Sequence, residues 1–342
     1  MAKTISEQLK FYYDEDIFNS VYTSELDPTS LVLLESGAMV EDGQISNLIS
    51  SGGNYFSVPF YKDITGDEVN YDGATDIPTD GSESGVWHGV VIGRAKGWEA
   101  TSFVKDFSTA DPMRNILNRI QKWKGKKQQQ RLIGILNAIL GVTGTGAFAD
   151  WENHKENIAT ATTTVTDANK IDFTTLRDLA VKSNGDAADD YALAIMHSQV
   201  ANRLSDLQII NFYRYNANGM EYDVRVGKSG NLTVLVCDEV PHSVNSDTNA
   251  MEYTTYVLGR GSIGHANAPV EKPSEIARDA AKKGGMDYLY TRYRECIHPY
   301  GFSFAMQNLP VSPTDAQLAT SANWSIVYNP KTIYIASLVS NG

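Results

Sequence analysis

One segment limits the fold more than any other. Opened by Asp111-Pro112, it carries Met113, Ile116, Leu117, Ile120 and Trp123 at 3–4 spacing, and Leu132, Ile133, Leu136, Ile139 and Leu140 resume the pattern. The spacing predicts a long helix, weakened inside by Gly125 and Gly134 and ended by the glycine-rich run 141–146. From Met113 to Ala149 there is no acid, yet Arg114, Arg119, Lys122, Lys124, Lys126, Lys127 and Arg131 all lie there. Seven cations without a local counter-charge are the most unusual electrostatic feature of the chain, and the plainest reading of them is a solvated face.

The stretch before it is the electrostatic opposite. Asn54–Asp63 and Gly85–Lys105 read as two strands. Between Asp63 and Gly93 stand seven acids (Asp63, Asp67, Glu68, Asp72, Asp76, Asp80 and Glu83) and no Lys or Arg. Some thirty residues between two strands is long for a compact domain, and such loops are usually functional or disordered. The reading is an extended β-excursion. The first 52 residues read as an arm, with short helical pieces at Ile5–Phe11 and behind Asp27-Pro28 and too few apolar residues for a core of their own.

The second half alternates: a helix over Phe173–Ser183, a buried strand at Tyr191–Met196, and a helix capped by Ser198. Strands follow at Asn231–Val236, Thr254–Leu258 and Tyr288–Phe304, and Ile326–Leu338 has strand character broken at Pro330. This mixture predicts α+β layers. With 342 residues, 42% of them apolar, the chain is long enough to form a core without staples. A net charge of -12 argues against a general nucleic-acid binder unless positive charge is gathered in one place. Two cysteines, Cys237 and Cys296, build neither a disulfide framework nor a zinc site and read as buried thiols. The N-terminus lacks the apolar run of a signal peptide, and Leu132–Val142 is about half the length that spans a bilayer. A soluble chain from a reducing compartment is expected, with no membrane partner.

Fragments of catalytic motifs fail on context. Gly259-Arg-Gly261-Ser-Ile-Gly264 fits G-x-G-x-x-G, but His265-Ala-Asn-Ala-Pro269 behind it opens no helix to receive a pyrophosphate. Gly227-Lys228-Ser229 ends like a phosphate loop, yet Tyr222 occupies the required upstream glycine position. The six histidines show no H-x-x-x-H pair, and there is no G-x-S-x-G elbow. No catalytic residue, cofactor or metal is predicted.

The order of pieces in the second half is more telling. It runs Ala194-Ile-Met-His197-Ser198 to Leu207, Leu232-Thr-Val-Leu-Val-Cys-Asp238-Glu239-Val-Pro241, Tyr253-Thr-Thr-Tyr256-Val-Leu-Gly259, Glu275-Ile-Ala-Arg278-Asp279, Gly285-Met-Asp-Tyr-Leu289 and His298-Pro299-Tyr-Gly301-Phe. This succession, over roughly residues 110–340, resembles the major capsid proteins of tailed bacteriophages, with the Hong Kong-97-type fold. The resemblance implies an N-terminal arm (1–52), an extended loop (53–108), a peripheral domain with a spine helix (109–170) and an axial domain (171–285). Return strands follow (286–342).

It further implies self-assembly into hexamers and pentamers of an icosahedral head around double-stranded DNA, touched non-specifically. A portal, and scaffolding or decoration proteins, would be partners; the chain would belong to the virion and assemble in the host cytoplasm. The inter-subunit or interior-facing candidates are Asp67, Glu68, Asp72, Asp76, Asp80 and Glu83 on the loop, with the seven cations on the helix. With the arm starting almost at Met1, a fused scaffold is not expected. Some members of the family join a loop lysine to a neighbour's asparagine; here 63–93 lacks lysine, and seven acids would hold any nearby amine protonated and unreactive, so no covalent mesh is expected. Within the same fold the alternative is an encapsulin-like shell protein, although those are shorter and lack such a loop. A soluble α+β enzyme with an unrecognised site is the more distant reading.

Overall fold

Two large sheets and two small two-stranded ones share the chain, and the long helix lies between the large ones. The computed structural model describes residues 33, 36–50, 52–62, 64, 66–71, 76–77, 79, 81–102, 112–160, 162–172, 174–217, 220–229, 232–308 and 310–342. The expected helices at Ile5–Phe11 and behind Asp27-Pro28 lie outside them.

In chain order, β1 (Met39–Glu41) and α1 (Gly43–Ser50) precede β2 (Tyr55–Tyr61), β3 (Ser84–Val90) and β4 (Ile92–Thr101). The long helix α2 (Pro112–Leu140) is followed by a 3-10 turn (Gly146–His154), β5 (Lys155–Asn157), α3 (Thr175–Asn184) and β6 (Tyr191–Met196). Then come α4 (Ser198–Asp206), β7 (Asn211–Ala217), β8 (Met220–Ser229), β9 (Leu232–Val236), β10 (His242–Val244) and β11 (Met251–Gly259). The chain closes with β12 (Ile263–Ala268), β13 (Ser274–Asp279), β14 (Met286–Pro299), β15 (Phe302–Phe304), α5 (Asp315–Leu318), β16 (Trp324–Ile326) and β17 (Ile335–Ser340).

One large sheet has the order β1-β12-β14-β13 with β4 also on β14; the other runs β5-β17-β11-β6-β9-β8-β7 with β10 on β11, and the small ones are β15-β16 and β2-β3. β12 and β13, expected in the axial segment 171–285, pair with β14, while β17 near the end of the chain pairs with β11. Residues 36–50, expected to be arm, pack on their own chain. β1 pairs parallel with β12, and Ile45 and Ile49 are buried with Val91, Ala266 and Cys296.

α2 is continuous through both interior glycines because its apolar stripe has two sheets to cover. Ile135, Leu136, Ala138 and Ile139 are fully buried, in one cluster with Leu193 and Tyr256 of one sheet and Ile263 and Ile297 of the other. Each Leu or Ile there contributes about 1.5–3 kcal/mol. The helix stops at Gly141, whose N–H donates to the carbonyls of Asn137 and Ala138.

The glycine motif at 259–264 is a strand-to-strand turn, with Gly261 at φ +67. Gly259 is needed for close approach: a Cβ there would sit 2.2 Å from the Cβ of Tyr334, whose carbonyl accepts from the Gly259 N–H. No helix follows, so the motif is structural. The cap expected at Ser198 lies one residue earlier, since the His197 side chain accepts from the Gln199 N–H. Cys237 and Cys296 are free and buried. Among the described residues no helix is long and apolar enough to cross a membrane.

Candidate functional site

The extended loop begins as a regular ribbon. β2 and β3 pair antiparallel from Tyr55↔Val90 to Tyr61↔Ser84, one more bond joins the Lys62 N–H to the Glu83 carbonyl, and the Lys62 ammonium meets the Glu83 carboxylate at 2.8 Å. Their contact holds Glu83 below the usual carboxylate range. Small residues let the ribbon close: the Phe56 ring lies over Gly89 and the Phe60 ring over Gly85. Trp87 roots the ribbon by stacking on His298 at 4.4 Å, edge-on to Phe56.

Beyond the ribbon the described positions between 64 and 83 run without regular structure. Asp67, Glu68 and Asp76 are exposed. So are the apolar side chains among them: Ile64 is 89% exposed, Tyr71 90% and Ile77 67%. Asp63, Asp72 and Asp80 lie outside the described residues.

The seven cations of α2 do not form one face, which corrects the sequence reading. Arg119 and Lys122 are exposed. Lys126 pairs with Glu239 at 2.9 Å, and Lys127 donates to Gln130. Lys124 turns inward, its ammonium 5.2 Å from the Tyr293 ring centre; burial lowers its pKa, against the pull of Glu295. Arg131 is 3% exposed and pairs with the fully buried Glu295, with Asp315 at 3.0 Å from its Nε. Burial alone would lower the Arg131 pKa, but Glu295, Tyr293 and Asp315 raise it. The Arg114 side chain lies outside the described residues.

Helix geometry explains this sorting. Lys124 and Arg131 lie four and eleven positions after buried Ile120, on the same face, and that face looks onto β14. Along β14 the buried residues Leu289, Thr291, Tyr293, Glu295 and Ile297 alternate, so Glu295 points at the helix. Gln128 also bonds Glu295, and Asp315 joins Arg131 to Arg94, 2.6 Å away. The two arginines hold Asp315 below the usual carboxylate range despite its partial burial.

Among the described residues no group of His, Cys, Asp and Glu could hold a metal. His154 and His298 are packed imidazoles, against Trp151 and Trp87 respectively.

Comparison with known proteins bears on the whole chain. A model of the major capsid protein 13-like family matches residues 135–332, more than half of it. The major capsid protein of Bacillus phage SPP1 is 26% identical over 304 residues, covering 88% of each chain. Among solved structures, the capsid of Ralstonia phage GP4 superposes with a TM-score of 0.55 at 9% identity, covering 89% of this chain and 86% of that one. The cyanophage Pam1 capsid asymmetric unit gives 0.50 at 10% identity, over 86% and 87%.

Proposed function

The chain belongs to the major capsid protein 13-like family, with the α+β Hong Kong-97-type capsid fold, and on that premise we propose how its copies build a phage head. Its role is structural: it is a capsid subunit that self-assembles and forms part of the virion. In our reading the copies form hexamers and pentamers around double-stranded DNA, in the host cytoplasm, with the extended loop of one copy laid over its neighbour. A portal, a separate scaffolding protein and decoration proteins are the further partners this reading assigns.

The observation that carries it is the loop between Lys62 and Glu83. Ile64, Tyr71 and Ile77 present apolar surface to solvent on a segment whose described residues enter none of the buried clusters. Such surface has a use only when another molecule covers it. Repeated contacts of this kind bury large permanent interfaces, while Asp67, Glu68 and Asp76 set register and association rate more than affinity. Arg119, Lys122 and Lys126 are exposed α2 cations among the described residues and are assigned to the head interior or a subunit contact, where phosphates or acids would meet them.

Because these loop side chains are largely exposed in the subunit, the triple variant Ile64→Ser/Tyr71→Ser/Ile77→Ser should melt within about 0.5 kcal/mol of the parent chain. It should form no shells when sedimented beside it. Shells in normal yield would refute the loop's role. The contacts are assigned as non-covalent, so particles of the parent chain boiled in detergent should run near 37.6 kDa.

A further inference from the structure

The start of α4 is held by two titratable side chains, and neither belongs to the loop or the basic helix. The Gln199 N–H donates to His197 Nδ1 at 3.2 Å, and the Ser198 N–H donates to Asp238 Oδ1 at 3.1 Å. Asp238 also takes the Ser198 hydroxyl. These are among the N–H groups that a helix cannot satisfy internally at its first turn. Histidine is an unusual cap, because a neutral imidazole has only one accepting nitrogen.

The hydrogen bonds fix the tautomer. Since Nδ1 of His197 accepts, its proton sits on Nε2, which lies 3.7 Å from the Asp238 carboxylate. His242 of β10 is set the other way. Its Nδ1 lies 3.1 Å from the Val240 carbonyl, which can only accept, so Nδ1 carries the proton and Nε2 is bare. The His242 ring stands 4.9 Å from the His197 ring, and Tyr253 of β11 packs on His197 at 4.8 Å. His197 is thus faced by one acid from the β9–β10 turn, one histidine from β10 and one tyrosine from β11.

We propose that His197 is a proton-operated N-cap: neutral, it fastens the start of α4, and protonated, it lets go. A proton added to Nδ1 points a donor at the Gln199 donor, and a cation at a helix N-terminus opposes the helix dipole. Burial and the nearby His242 lower the His197 pKa from 6.5, while Asp238 pulls it up. A depressed pKa in the capped form means the uncapped form binds the proton more tightly. The cap is therefore fully present above about pH 6.5 and weakens as pH falls below it. Asp238, held below the usual carboxylate range, stays ionised in that window and is free to pair with the imidazolium that has left the helix.

Hydrogen exchange of the full-length chain, resolved to the amides of 198–203 and corrected for intrinsic rates, tests this. Going from pH 7.5 to 5.0, protection in the parent chain should fall roughly fivefold there, the scale of one lost cap. His197→Asn keeps a cap that does not titrate and should show the same protection at both values. His197→Ala should show the parent chain's reduced, low-pH protection at both. His242→Gln removes the neighbouring imidazole that lowers the His197 pKa and should move the loss to higher pH. Equal protection of the parent chain at the two values, or the same pH-dependent loss in His197→Asn, would overturn the proposal.

Discussion

Replacing Arg131 with Met should cost about 3–5 kcal/mol of stability, the largest effect we expect from a single change. The substitution keeps the length of the side chain but takes from the fully buried Glu295 carboxylate its paired guanidinium, leaving Gln128 as a donor and the more distant Lys124 ammonium. A buried charge that loses its direct ion partner is not repaid for its lost hydration. The double variant Arg131→Met/Glu295→Gln removes both charges and leaves an amide for Gln128, so it should recover at least half of the loss. Denaturant titration of the parent chain and the two variants measures this. A double variant as unstable as the single one would mean that the ion pair itself stabilises the junction of α2 and β14. Arg119→Gln, on the exposed side of the same helix, should change stability by less than about 0.5 kcal/mol.

Acid should undo the subunit well above the pH at which carboxylates titrate. His154 and His298 are buried as neutral imidazoles, and burial lowers each pKa from 6.5 to about 4. His154 Nδ1 donates to the Ile335 carbonyl and its ring stacks on Trp151, while His298 lies against Trp87. Above pH 6.5 both folded and unfolded chains carry them neutral, and they add no pH dependence. Between 6.5 and 4 the unfolded chain binds protons that the folded chain does not. Stability should therefore fall by about 1.4 kcal/mol per pH unit for each histidine, reaching about 6 kcal/mol for the two together near pH 4. His265 adds to the same trend, since burial lowers its pKa as well. Unfolding free energies measured from pH 7.5 to 4.5 should show this slope, and His298→Gln should remove close to half of the contribution from the pair. A stability that stays level down to pH 5 would contradict it.

Local pattern reached far into the fold and then stopped at pairing. The 3–4 spacing of Met113 to Leu140 predicts α2, and the apolar runs around the acid-rich segment predict β2 and one return strand over Gly85–Lys105, which the structure divides into β3 on β2 and β4 on β14. The basic residues of α2 were misread for the same reason. Counting charge along the chain finds no acid near Arg131, but its partners Glu295 and Asp315 stand 164 and 184 positions away. The alternation of β14 and the spacing of Ile120, Lys124 and Arg131 together held enough to suspect the pair, once helix and strand were known to face each other.

The β7–β8 hairpin is a different kind of omission. Asn218-Gly219 between alternating aromatic and polar residues is a strong two-residue turn signal, and it was legible from the start. The cap at α4 was assigned to Ser198 because serine is a common cap and histidine is not; only the geometry places the acceptor on His197.

The account rests on subunits that complete one another. Electron microscopy of the purified chain, over rising concentration, tests that most directly. It should show rings of subunits and closed shells whose walls are one chain thick, whereas isolated particles the size of a single 37.6 kDa chain under every condition would contradict it.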